Sequence, residues 1–192
     1  MDAPSPQEAK EALALIEETT RRMRRAVAHG GAPYFLIIWG VVWLLGFGGA
    51  HFIGPNNAHT GWLWAILDTL GVLASFGVGW RLGRRVRSRN GGGALLGAFW
   101  LAWVFYAALI IAFARPQSGD QLSLLISLFA MMGYVTTGLL YRSTFITTLG
   151  MVVTLFILAG YLLFLPYFNL WMAFLGGGSL IVAGVYVLQT WR

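Results

Sequence analysis

PYFLIIWGVVWLLGFGGAHFIG, residues 33–54, runs for 22 residues without one Asp, Glu, Lys or Arg. A helix of that length rises about 33 Å, enough to cross the hydrocarbon core of a bilayer. Five further stretches share the character: 61–80, 93–114, 121–141, 145–165 and 168–189. The whole chain of 192 residues is 58% hydrophobic and 10% charged, with a mean hydropathy of +0.70. Soluble domains carry about 25% charged residues, so a soluble globule and a disordered chain are both excluded. The sequence predicts an all-α membrane protein of six spans, residues 33–192, behind a polar segment, residues 1–32.

Residues 1–32 lack the order of a secretory signal, which is a basic start, an apolar stretch and a small-residue cleavage site. They read as an amphipathic cytoplasmic helix. Ser5 is the expected N-cap, Pro6 the first helical residue, and Glu8 the partner in a capping box. Ala9, Ala12, Leu13, Ile16, Met23, Ala26 and Val27 recur at helical spacing. Acidic residues precede the basic ones, which suits the helix dipole, and Glu17/Arg21 and Glu18/Arg22 are favourable pairs. The expected partner of this segment is the anionic inner leaflet, through Arg21, Arg22, Arg24 and Arg25 on the helix and Arg84, Arg85, Arg87 and Arg89 in the loop after the second span. A docking surface for a protein partner or a second copy is the alternative. No nucleic-acid partner is expected, since no aromatic interleaving accompanies the arginines.

Orientation follows from basic residues in loops. With both termini inside, twelve of the 13 Lys and Arg residues fall on the inner side, and only Arg115 falls outside. The expected location is therefore a cytoplasmic membrane with N and C termini cytoplasmic. Trp62, Trp64, Tyr167 and Trp171 fall near the outer interface, and Trp80, Tyr141 and Trp191 near the inner one, as belt residues do. Trp43, Trp100, Trp103, Tyr106 and Tyr134 lie deeper and read as packing residues first.

The spans group into three hairpins with Pro55, Pro116 and Pro166 at their outer turns. Twenty-five residues after each proline stand Trp80, Tyr141 and Trp191, each followed by arginine: Arg81, Arg142 and Arg192. This pattern suits a pseudo-threefold repeat, and equally suits the shared constraints of turns, interfaces and span length.

Asp68 is the one acidic residue within these spans, and no Lys or Arg shares its depth. A charge there costs several kcal/mol, so such residues by default face a bundle interior and serve a function. A protonated Asp bonded to a neighbouring helix is the structural alternative. Thirteen residues after Pro166 stands Ser179, at the same offset as Asp68 from Pro55, preceded by Gly176, Gly177 and Gly178. Glycine-interrupted spans mark transporter sites, though close packing explains the run alone. Gly71, Ser75 and Gly79, spaced by four, read as a packing seam. Ser123, Ser127 and Tyr134 fall on one face of the fourth span, with Thr137 nearby, and could line a polar path. Hydroxyls in spans more commonly bond their own backbone.

With no cysteine, thiolate metal sites, iron–sulfur clusters and cysteine nucleophiles are excluded. His51 and His59 form a weak metal signal without a carboxylate cluster, so no metal and no cofactor are expected. Gly46, Gly48 and Gly49 lack the strand that a dinucleotide loop needs. No Ser–His pair lies at membrane depth, so no enzyme is expected. Two functions remain. One is a small-solute or ion permease or channel using Asp68, Ser179, the glycine run and Tyr134. The other is a non-catalytic subunit, sensor or scaffold that binds a partner through the N-terminal helix and the arginine-rich loop.

Overall fold

The computed structural model describes residues 31–85 and 92–191, and residues 5, 7, 8, 10–15 and 18 before them. Among the described residues every regular element is helical, and six helices are long and apolar enough to cross a membrane. They are α1 (Ala32–Ile53), α2 (Ala58–Arg85), α3 (Gly92–Ala114), α4 (Gly119–Leu140), α5 (Thr144–Leu163) and the sixth span, α6 (Leu165–Thr190). Each coincides with an expected span to within a few residues. The chain is a multi-pass membrane protein by length and composition of its helices.

Local chemistry fixes the ends. Gly31 (φ +86°) and Pro33 open α1, and Gly54 (φ +101°) closes it. Thr60 Oγ1 donates to Gly54 O at 2.7 Å and His59 N to Asn57 Oδ1 at 2.9 Å, tying α1 to α2 in a four-residue turn. Ser118 caps α4 by accepting from Gln121 N. The α4–α5 link is shorter still. Ser143 N donates to Gly138 O and Arg142 N to Leu139 O, the two bonds of a Schellman ending, and Ser143 immediately caps α5. At the N-terminal end Ser5 N donates to Glu8 Oε2 at 2.7 Å and Glu8 N to Ser5 Oγ at 3.3 Å, which is the expected capping box. Residues 10–15 are helical. Arg21, Arg22, Arg24, Arg25, Arg87, Arg89 and Arg192 lie outside the described residues.

The helices pack in the order α2–α1–α6–α5–α4–α3. The most extensive interfaces are α1–α6 and α4–α5. Neither lies within an expected hairpin, and the packing gives no support to three equivalent hairpins about a threefold axis. Glycines let the backbones meet. A Cβ on Gly40 would stand 2.9 Å from Gly177 O, and one on Gly184 2.8 Å from Pro33 O, so α1 and α6 touch main chain to main chain. Gly138 lies against Thr147, and Gly150 against Val135, at α4–α5. At three other joints a glycine receives an indole: Gly46 takes Trp64, Gly133 takes Trp100, and Gly160 takes Trp171. Trp103 Nε1 donates to Phe129 O at 3.0 Å and Trp171 Nε1 to Phe156 O at 2.8 Å. Trp64, Trp171 and Trp191, expected as belt residues, are thus packed against neighbouring helices. Trp191 is buried against Phe145 at 5.1 Å. Trp62, Trp80, Tyr141 and Tyr167 remain exposed as belt residues do.

The core lies where α1, α4, α5 and α6 converge, around Trp43, Phe47, Met131, Ile157, Phe168 and Met172. Helices α2 and α3 stand at the two edges. No residue of Gly97–Ala114 is buried, and little of Ala58–Leu82 is.

Candidate functional site

Asp68 sits at mid-length on α2 and is exposed within the chain. Contacts on either side fix its depth: Trp64 meets Gly46, and a Cβ on Gly71 would stand 3.0 Å from Val42. No hydrogen bond or ion pair engages its carboxylate among the described residues. Asp68 lies to one side of the α1-facing ridge formed by Trp64, Leu67 and Gly71. A shallow groove of about 340 Å³, lined by Trp62, Ala65, Ile66, Thr69 and Leu70, lies on the face of α2 turned away from α1, beyond the flank that carries Asp68.

The glycine run lies at a similar depth on another flank of α1. A Cβ on Gly177 would stand 2.6 Å from Leu44 N and 2.7 Å from Gly40 O. Gly176 meets the Trp43 ring, whereas Gly178 faces open space. Met172–Gly177 is a π-helix, and α6 resumes α-helical form at Gly178. Ser179 Oγ donates to Leu175 O, the backbone bond usual for hydroxyls in spans. Tyr134 is half-buried on α4, its ring edge-on to Trp100 at 6.0 Å.

These candidate residues do not meet in one cavity. Val42, Gly46 and Gly49 of α1 face α2, while Ile37, Gly40 and Leu44 face α6, so α1 stands between Asp68 and Ser179. Tyr134 belongs to α4, two neighbours further along the packing order. The seam expected from Gly71, Ser75 and Gly79 divides as well: Gly71 packs on α1, but a Cβ on Gly79 meets nothing within 4 Å.

At the end of the bundle that carries Pro55, Pro116 and Pro166, a polar cluster appears that the sequence did not single out. Gly119 N donates to Asn56 Oδ1 and Asn169 Nδ2 to Asp120 Oδ1, at 2.7 and 2.9 Å. Asn169 is 5% exposed, and its Oδ1 has no partner. The available signal was Asn169 itself, the lone amide early in the sixth apolar stretch. His51 packs beside Tyr167 at 6.4 Å, and His59 Nδ1 lies 2.9 Å from Asn57 Oδ1. No group of three metal-ligating side chains lies among the described residues.

At the opposite end, Arg81 and Arg84 are exposed. The Arg84 guanidinium lies over the Trp80 ring at 4.6 Å, leaving its edge available to an anion. Compared with known proteins, the chain matches no family model, no curated protein and no solved structure.

Proposed function

We propose that this chain is a non-catalytic scaffold of the cytoplasmic membrane that self-associates through the open flank of α2. The observation that carries this reading is the placement of Asp68, uncovered at mid-span on an edge helix. A carboxyl facing lipid costs several kcal/mol, and a neighbouring span removes that cost. The residues in line with it suit such a neighbour. Gly61, Ala65, Asp68, Val72, Ser75 and Gly79 follow a four–three spacing, the period of a helix–helix seam. All but Ser75 are exposed, and the Ser75 hydroxyl is buried without a partner. Built Cβ atoms on Gly61 and Gly79 meet nothing within 4 Å.

A second copy fits this flank. No Lys or Arg lies at the depth of Asp68 to pair with it. Across a twofold axis, two protonated carboxyls hydrogen-bond reciprocally. Self-association then gathers the basic ends of two or more chains. Arg81, Arg84 and the arginines of the N-terminal segment and loop form a cationic face for anionic lipid headgroups or a soluble partner.

The test is the oligomeric state of the full chain in nanodiscs. Wild type should run as a dimer, Asp68→Asn should keep it, and Asp68→Leu should weaken it about tenfold, the effect of ~1–2 kcal/mol from an interhelical polar bond. A monomeric wild type overturns the reading. The permease reading keeps one supporting observation, the π-helical Met172–Gly177 at membrane depth, since such turns recur at functional sites. It predicts solute uptake that Ser179→Ala reduces.

A further inference from the structure

Many hydroxyls within the spans bond their own backbone, and three of the described ones are buried without any partner: Ser75 of α2, in the seam above, and two on α4. Thr69, Thr136, Thr147, Thr154, Ser179 and Thr190 each donate to the carbonyl four residues earlier. Ser127 and Thr137 of α4 do not. Both hydroxyls are buried without a partner, and Ser127 is only 1% exposed. Backbone carbonyls stand within reach of any helical hydroxyl, so a hydroxyl that turns away from its own backbone is available to a different acceptor. Buried polar groups in native proteins are satisfied by protein or by water.

These two hydroxyls are not scattered. Asp120, Ser123, Ser127, Tyr134 and Thr137 lie at intervals of three, four, seven and three, along one face of α4. From Asp120 to Thr137 that face rises about 25 Å, most of the hydrocarbon thickness. It is the face that contributes Leu124, Met131 and Tyr134 to the core. Its upper end is the Asp120–Asn169 pair, where Asn169 offers a third buried, unpartnered atom, Oδ1. The one gap, from Ser127 to Tyr134, is two turns. A helical tyrosine leans toward the N-terminus of its helix, the direction in which Ser127 lies.

We propose that this face of α4 is a hydrated hydrogen-bond file that conducts protons through the interior of a single chain. Water is the ligand, bridging oxygens too far apart to bond directly. Each oxygen accepts a proton on a lone pair and releases its own proton to the next oxygen, so nothing is oxidised and no group is consumed. Asp120 at the end of the file is the group that exchanges protons with bulk water. The file does not use Asp68 or the α2 seam and stands independently of the self-association reading.

The absence of cysteine from the chain makes hydration directly measurable. Ser127→Cys and Thr137→Cys, in the full chain reconstituted in liposomes, should react with a small aqueous methanethiosulfonate at least tenfold faster than Met131→Cys. Met131 is 0% exposed and lies one turn from Ser127. In the same liposomes, proton influx under an imposed gradient should exceed that of protein-free liposomes. It should fall at least tenfold in the Ser127→Ala/Thr137→Ala double variant, and persist in Ser127→Thr/Thr137→Ser and in Asp68→Leu. The conservative pair separates loss of the hydroxyls from loss of the fold. Equal reactivity at 127 and 131, wild-type influx no faster than in empty liposomes, or influx that survives the double alanine variant would each overturn the file.

Discussion

Arg142 holds φ +51°, in the left-handed region, at the position that follows the C-cap of α4. Glycine is the usual occupant there, because a side chain in that conformation costs roughly 1–2 kcal/mol. The position is forced: Gly138 O and Leu139 O take their bonds from Ser143 N and Arg142 N only if the backbone reverses there. Arg142→Gly should therefore raise stability by about 0.5–1 kcal/mol, after subtracting the added freedom of glycine in the unfolded chain, and the thermal midpoint in detergent reads it. Glu8 allows a test at the other end of the chain. The Ser5 amide and hydroxyl, bonded to Glu8, hold its carboxyl below the ordinary Glu value. A depressed folded value means that the contact stabilises the helix start above the ordinary range and is lost as pH falls through the folded value. Carbon-13 titration of Glu8 should give a midpoint below 4.5, and Ser5→Ala, which removes the hydroxyl but keeps the backbone N–H, should return it only part of the way to the ordinary value. The capping box was legible in the sequence because both of its bonds span three residues. The partners of Trp64, Trp171 and Trp191 were not, because each is settled by a residue on another helix.

At the scale of the helices, the glycine run shows how unlike three adjacent identical residues can be. Gly177 lies at the contact of α6 with Leu44 and Gly40, and Gly178 faces open space. Gly177→Ala should overpack the α1–α6 interface and cost about 1–3 kcal/mol. Gly178→Ala should leave stability unchanged or raise it by up to ~1 kcal/mol through helix propensity. Thermal unfolding of the two variants side by side checks the contrast, and equal losses would mean that both glycines serve the same contact. The extent of each helix was legible from hydropathy alone, since six apolar stretches with polar or glycine–proline punctuation leave little choice. Which face meets which neighbour was not. In a bilayer both lipid and neighbouring spans are apolar, so the periodic contrast that identifies a buried face in water disappears. The four-residue reading of Gly71, Ser75 and Gly79 failed for that reason: Gly71 faces α1 while Gly79 belongs to the open flank.

The whole molecule presents an asymmetry that no single helix carries. The inner four helices bury large side chains together, while α2 and α3 touch the bundle on one side only. For α3 the open surface is Leu101, Val104, Phe105, Ile110 and Phe113, all exposed and all suited to lipid. For α2 it splits. Ile66, Leu70 and Leu73 suit lipid, but the flank through Asp68 does not. The sequence marked Asp68 as exceptional and offered an interior site as the default. The packing order places it instead at an edge, which no local pattern could reveal because the order is set by distant pairs such as Gly40 with Gly177. If two copies meet along this flank, the contact must follow the four–three spacing of a seam rather than the exposure of α2 as a whole. Single cysteines introduced at Gly61, Val72 and Gly79 should then form disulfide-linked dimers on mild oxidation in membranes. Cysteines at Ile66, Leu70 and Leu73, equally exposed but on the other side, should stay monomeric. Random collision in the bilayer would cross-link all six positions alike, and that pattern would sink the seam. Asp68→Leu, combined with the cysteine at Val72, should reduce its yield about tenfold, because the polar bond that holds the register is gone while the exposure of Val72 is unchanged.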